Sequence, residues 1–202
     1  MTSPIDAHRV DWSGDNPGIY LKDAPDAPFR SLCVWFRIAL SPFGAGHALV
    51  LFEDPRRSGG WPEVANFCIT DHPALAHWLV DEYCRRFGVF RDAAAFDSLE
   101  YLTMSSLKTS GDNRAFAEVA VAGAGIEVVL HWAKLGQPFA ADVAPELSAT
   151  GRHRMLSVFV ESEDARITVN GRRLAGTAMP RPFLGRTASS AFLAFSETWI
   201  AQ

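Results

Sequence analysis

The cleanest alternation of side chains in the chain runs through Leu32-Cys33-Val34-Trp35-Phe36-Arg37-Ile38-Ala39-Leu40. Leu32, Val34, Phe36, Ile38 and Leu40 form one apolar file, and Cys33, Trp35, Arg37 and Ala39 form the other. A two-residue period over that length predicts a β-strand. Ser41-Pro42-Phe43-Gly44-Ala45-Gly46 reads as the turn that ends it, and residues 47–53 as the return strand. Further strand patterns fall at 64–70, 99–106, 116–121, 126–133, 154–161 and 190–199, with an irregular loop expected over 134–151.

The strongest local signal is Ala165-Arg166-Ile167-Thr168-Val169-Asn170-Gly171-Arg172-Arg173-Leu174. Two β-prone runs joined by Asn-Gly predict a hairpin with a type I′ turn, because both central residues of that turn need positive φ. Its three arginines are expected to face solvent near the turn. Just before it, Glu161-Ser162-Glu163-Asp164 reads as a solvated acidic turn.

One helix stands among these strands, over about 72–87. Asp71 is the expected N-cap, Pro73 suits the first turn and Gly88 follows the end. Ala76, Leu79, Val80, Tyr83, Cys84 and Phe87 recur at helical spacing and predict the buried face. The stretch 91–96 allows a second, short helical turn. Residues 1–28, rich in Asp and Pro, predict an N-terminal arm or coil with at most a short strand at 18–22, ahead of a single β-rich domain over 29–202.

Together these patterns predict a mainly β protein: an antiparallel sheet of about ten strands, curled into a barrel or cone, with one main helix packed on it. A β-sandwich is the rival architecture. Repeated βαβ units are absent, which excludes a doubly wound fold.

Composition changes this picture little. The 202 residues are 48% hydrophobic, enough for one substantial core. No run is long enough to span a membrane, and the first residues, Met1-Thr2-Ser3-Pro4-Ile5-Asp6, have neither a basic start nor an apolar stretch, so a cytoplasmic protein is expected. Cys33, Cys68 and Cys84 are odd in number and far apart, which fits reduced, buried thiols. The net charge of −4 argues against a nucleic-acid partner. Lysine occurs only at Lys22, Lys108 and Lys134, and every Lys or Arg position after 150 holds arginine.

No Gly-rich phosphate loop, His-Glu-x-x-His, Cys-x-x-Cys or Gly-x-Ser-x-Gly is present. The six histidines lack metal-ligand spacing, so neither metal nor cofactor is expected. Candidate chemistry rests instead on polar residues inside apolar files. By the two-residue period Leu193, Phe195, Glu197 and Trp199 share a face, and an acid among such neighbours tends to keep its proton. Glu197 is therefore the first candidate acid, unless Arg186 or Arg154 pairs with it. Glu127 and His131 share a face about 13 Å apart at ~3.3 Å per residue, and His131 is the second candidate for proton transfer. Arg37, beside Trp35, is the charged residue deepest in a strand and would anchor a carboxylate if it pointed into a barrel. A solvent-facing role for each is the alternative.

The order of elements adds one likeness. Strands lead into Thr70-Asp71-His72-Pro73-Ala74-Leu75-Ala76 at a helix start, then Gly88, then many more strands. This order resembles the acetoacetate decarboxylase-like β-cone. The resemblance implies a Schiff-base lysine just after a Gly-x-Pro-Lys turn, but the corresponding stretch here is Phe87-Gly88-Val89-Phe90-Arg91. A guanidinium stays protonated and forms no imine, so the resemblance brings no decarboxylase activity.

Three function classes remain open from the sequence. The first is a binding module for a small apolar or anionic molecule held in the barrel interior, with Arg37, Trp35, Glu127, Phe195 and Trp199 as lining and Arg37 or a C-terminal arginine orienting the ligand. The second is a cofactor-independent lyase or isomerase using Glu197 or His131. The third is a structural or assembly protein, with a homodimer through an exposed sheet edge.

Overall fold

The computed structural model describes residues 9–202; the first eight residues of the expected arm, including His8, lie outside the described residues. Fourteen strands succeed one another in chain order: β1 (Val10–Asp15), β2 (Gly18–Lys22), β3 (Phe29–Leu40), β4 (Gly46–Phe52), β5 (Asn66–Thr70), β6 (Glu100–Gly111), β7 (Ala115–Ala122), β8 (Ile126–Leu135), β9 (Phe139–Val143), β10 (His153–Val169), β11 (Arg172–Arg173), β12 (Pro180–Phe183), β13 (Arg186–Ser189) and β14 (Ala191–Ala201). The one α-helix among the described residues, α1 (Pro73–Glu82), lies between β5 and β6 and is followed by 3-10 turns at Cys84–Arg86 and Ala94–Ser98.

Nine strands close a barrel in the order β14-β2-β3-β4-β5-β6-β7-β8-β10, with β10 returning to β14. Neighbours pair antiparallel except β5 with β6, which run parallel because the α1 segment carries the chain across between them. β1 and β9 add to the barrel wall beside β14 and β10, and β12 with β13 form a separate hairpin. Mainly β with one principal helix on a curled sheet is thus the observed class.

Alternation explains both layers. The file of Cys33 and Trp35 points into the barrel, where it meets Leu49, Ile69, Ala120, Val128, Ile167 and Leu193 from the other strands. The file of Leu32, Val34 and Phe36 points outward and packs under Leu75, Leu79, Tyr83 and Phe90 of the helical segment. Every barrel strand contributes to the inner layer, whose large residues Trp35, Trp132, Phe67 and Leu49 are fully buried. Side chains fill the interior, as expected for a small barrel. The inner layer of the described barrel is thus core.

Four local readings also differ. The arm expected over 1–28 holds, besides the strand expected at 18–22 (β2), a further strand, β1, which pairs with both β14 and β3. Its short polar-looking runs gain their hydrogen bonds from distant strands, which local pattern does not reveal. His72, not Asp71, caps α1, its Nδ1 accepting from the Leu75 N–H at 3.3 Å. Asp71 is engaged elsewhere, accepting from the His47 N–H at 2.7 Å and lying 2.6 Å from His47 Nδ1. Finally, the strand at 154–161 and the first arm of the hairpin are one 17-residue strand, β10. The acidic stretch 161–164 is not a turn. Ser162 is buried there, with its hydroxyl 2.7 Å from the Ala133 carbonyl, while Glu163 and Asp164 face solvent.

The Asn170-Gly171 turn has the expected conformation, with φ of 49° and 74°. β11 beyond it is only two residues long, and Arg172 turns back to form a two-pronged pair with Glu53 at 2.7 and 2.9 Å.

Candidate functional site on the outer face of the barrel

A cavity of about 220 Å³ lies on the outer face, beside the helical segment. The sheet supplies its floor through Tyr20 of β2, Met155 and Phe159 of β10, and Phe192 and Trp199 of β14. Phe87, Gly88 and Val89, just past the 3-10 turn that extends α1, form one wall. The opposite wall comes from Leu147, Ser148 and Ala149 and from the tip of the β12–β13 hairpin, including Phe183 and Leu184. Leu147 is 76% exposed and Leu184 45% exposed, so both rim the opening.

The position of the acid in this cavity depends on an irregularity in β14. Ser196 has φ 51°, and the pairing with β10 slips between Leu156 and Val158. Such a bulge places an extra residue in one strand and reverses the facing of the residues beyond it. Phe192 and Ala194 face outward before it and Trp199 faces outward after it, whereas Leu193 and Phe195 pack toward the barrel interior. Glu197 and Trp199 accordingly line the cavity, and Phe195 does not. Phe195 meets Phe116 edge-on at 6.3 Å on the inner side. Strict alternation puts these three residues on one face; the bulge separates them.

Glu197 is 3% exposed. Burial pushes its pKa up to about 8; hydrogen bonds from Trp199 and Ser157 oppose the rise, and the nearby charge of Asp15 adds to it. The Trp199 indole N–H donates to Glu197 Oε1 at 2.7 Å. The arginines expected as partners are engaged elsewhere: Arg186 lies 3.1 Å from Glu161, and Arg154 holds Asp142 at 2.8 and 2.6 Å.

Two further polar groups border the same space. Arg181, between Pro180 and Pro182 on β12, is half-buried with its guanidinium 4.6, 5.5 and 5.6 Å from the rings of Phe183, Phe192 and Tyr20. Its Nε is buried without a hydrogen-bond partner among the described residues. Burial pulls its pKa below the ordinary guanidinium value, opposed by Tyr20 and Glu161. Asn16, 3% exposed, ties its backbone N–H to the Ala194 carbonyl at 2.9 Å, yet its side-chain Nδ2 has no partner among the described residues. Between these poles the Tyr20 phenol is raised by burial, lowered by Arg181 and raised by Glu197.

A buried hydrogen-bond chain braces the wall near Trp199. His153 Nε2 lies 2.8 Å from Asp11 Oδ2, and His153 Nδ1 lies 2.8 Å from the Thr150 hydroxyl, next to the Ser148–Ala149 wall. The His153 ring also meets Trp199 edge-on at 5.9 Å.

The other candidates from the sequence lie elsewhere. Arg37 does point toward the barrel interior, at one end, but it meets protein carboxylates: Asp15 at 2.6 Å and Glu118 at 2.9 Å. Glu118 is 1% exposed, and burial raises its pKa while Thr109 and Arg37 oppose that. Trp35 is fully buried and stacks on His47 at 5.6 Å. Glu127 is exposed, and His131, half-buried on the same face of β8, has its pKa lowered by burial and by Arg166. None of Arg37, Trp35, Glu127 and His131 lines the cavity. Burial raises the pKa of all three cysteines. Among the described residues no group of three or more His, Cys, Asp or Glu side chains could hold a metal ion, and no helix is long and apolar enough to cross a membrane.

Sequence reasoning missed Arg181 and Asn16. Asn16 sits in a segment read as coil. Arg181 belongs to a hairpin whose turn is Leu184-Gly185, with φ of 48° and 75°, and Leu at positive φ gives no turn signal.

No family model matches the chain, and no curated protein matches it. Among solved structures it is similar to an acetoacetate decarboxylase from Legionella pneumophila subsp. pneumophila strain Philadelphia 1, at 10% identity and a TM-score of 0.43, covering 100% of this chain and 90% of that one. A second similar structure comes from structural studies of acetoacetate decarboxylase, at 9% identity and a TM-score of 0.39, covering 95% of this chain and 84% of that one. At such identities and scores no residue role passes from them to this chain.

Proposed function

We propose that this protein binds a small, largely apolar molecule in the outer-face cavity. The observation that carries the reading is the coincidence, in one space of about 220 Å³, of aromatic walls and the buried acid Glu197. Small-molecule sites commonly combine an apolar lining with a few converging polar groups that fix orientation. Tyr20, Phe159, Phe192 and Trp199 supply the lining, and Glu197 supplies a buried carboxyl that is ion-paired with none of the described cations. The filled barrel interior supports placing the ligand outside it.

A second reading shares the site. Glu197 carries a proton at neutral pH and loses it close to pH 8, which suits a general acid in a cofactor-independent lyase or isomerase. No group lining the cavity specifies the bond that would break, so binding is the primary reading.

The test is native mass spectrometry of purified protein for a retained small molecule, followed by displacement of a fluorescent apolar probe. Binding that is lost on filling the cavity with Ala149→Trp, in a variant that still folds, supports the reading. Probe binding unchanged by that substitution removes the cavity from consideration. Turnover of a bound molecule that disappears in Glu197→Gln while binding persists favours the second reading.

A further inference from the structure

We infer that the ligand of this cavity is an apolar-bodied carboxylic acid, its anionic end held by Arg181 and a second acceptor oxygen reaching Asn16. The inference rests on the binding reading and specifies its chemistry.

Buried polar groups in folded proteins almost always find partners, and the exceptions ask for an explanation. Five buried side-chain nitrogen or oxygen atoms lack a hydrogen-bond partner among the described residues, and two of them, Arg181 Nε and Asn16 Nδ2, belong to residues that line this one cavity. Both are donors. No described carboxylate is ion-paired or hydrogen-bonded to Arg181; Glu161, the carboxylate that acts on it electrostatically, is engaged by Arg186 at 3.1 Å. Seven arginines and four acids lie after position 150, and of these seven Arg181 is the one whose guanidinium packs among three cavity rings.

The aromatic rings do two things. They attract the cation through their faces, which holds the guanidinium plane in place. They also exclude water from it, so an incoming carboxylate meets a positioned donor with little solvent to displace. A planar fork suits a carboxylate better than a point charge does. Across the cavity, Glu197 in its protonated form adds another donor rather than a repelling charge. Three residues with donor groups around one apolar space point to a guest rich in acceptors at its ends and apolar between them. The openings beside Leu147 and Leu184 allow a longer apolar chain to emerge.

The experiment uses calorimetric titration of the full chain with aryl and straight-chain carboxylic acids of about three to ten carbons, each paired with its neutral amide. Wild-type protein is expected to prefer the acid roughly tenfold or more, the scale of a hydrogen bond to a charged group. Arg181→Gln should abolish that preference, and Arg181→Lys should restore only part of it. Thermal unfolding of each variant separates loss of binding from loss of fold. Amides that bind as tightly as acids to wild type overturn the inference and leave the binding reading standing. Acid preference that survives in Arg181→Gln overturns the assignment to Arg181. Failure of every acid and amide to bind overturns both.

Discussion

Glu197 and Trp199 sit side by side on the cavity floor, the indole N–H donating to the carboxyl at 2.7 Å, directly after the residue at which β14 changes face. The bulge at Ser196 is what turns the acid away from the packed barrel and toward the open cavity.

This arrangement makes stability depend on pH. Glu197 has a folded pKa of about 8 against an ordinary value of 4.5, so between those limits the folded protein holds a proton that the unfolded chain has released. Stability contributed by this group is present in full below pH 4.5 and declines as pH rises to 8, at up to about 1.4 kcal/mol per pH unit. Glu197→Gln keeps the shape and an acceptor for Trp199 but removes the titration. Urea midpoints measured at about pH 5.5 and about pH 8.5, either side of most of that decline, should fall for wild type by more than for the variant. Equal falls would place the proton somewhere else.

The ion pair at the barrel end gives a second expectation. Arg37→Met leaves Glu118 buried with its cation gone, and breaking such a pair costs about 3–5 kcal/mol. The double variant Arg37→Met, Glu118→Leu removes the orphaned acid as well and should recover most of that loss. Chemical unfolding of the two single variants and the double decides it. A double variant as unstable as Arg37→Met alone contradicts the account.

Ile167 belongs to the filled interior and is fully buried. Ile167→Ala is expected to cost about 2–5 kcal/mol while leaving affinity for the cavity probe unchanged. A variant with little loss of stability but altered probe binding would show that the interior, not the outer face, holds the ligand.

At the hairpin tip, Gly171 has φ 74° and open space around it. A Cβ there meets no neighbour, so the cost of Gly171→Ala is conformational alone, about 1–2 kcal/mol. The measurement is again an unfolding midpoint, and no change would mean that the turn relaxes to another type.

The parts of this molecule that are readable from sequence are those where one local rule acts alone. The alternation of residues 32–40 marks β3, Asn170-Gly171 marks its turn, and Glu197 stands out as an acid among hydrophobes. The unreadable parts depend on a distant partner. β1 needs β14 and β3 to become a strand; β10 runs through the acidic stretch 161–164 because β8 pairs with it there. The bulge at Ser196 leaves no mark in composition, so alternation groups Phe195 with residues it does not face. Arg181 acquires its meaning only when Tyr20, Phe183 and Phe192 come around it from three separate strands.

The pairing of β2 with β14 bears on how the chain folds. Ile19 lies opposite Ala191, and Gly18 opposite Phe192. A contact that joins positions so far apart along the chain carries a large loop-closure cost and slows folding. During synthesis, β2 must wait with one edge unpaired until β14 has emerged. Until that moment the waiting edge of β2 is open to pairing with another chain.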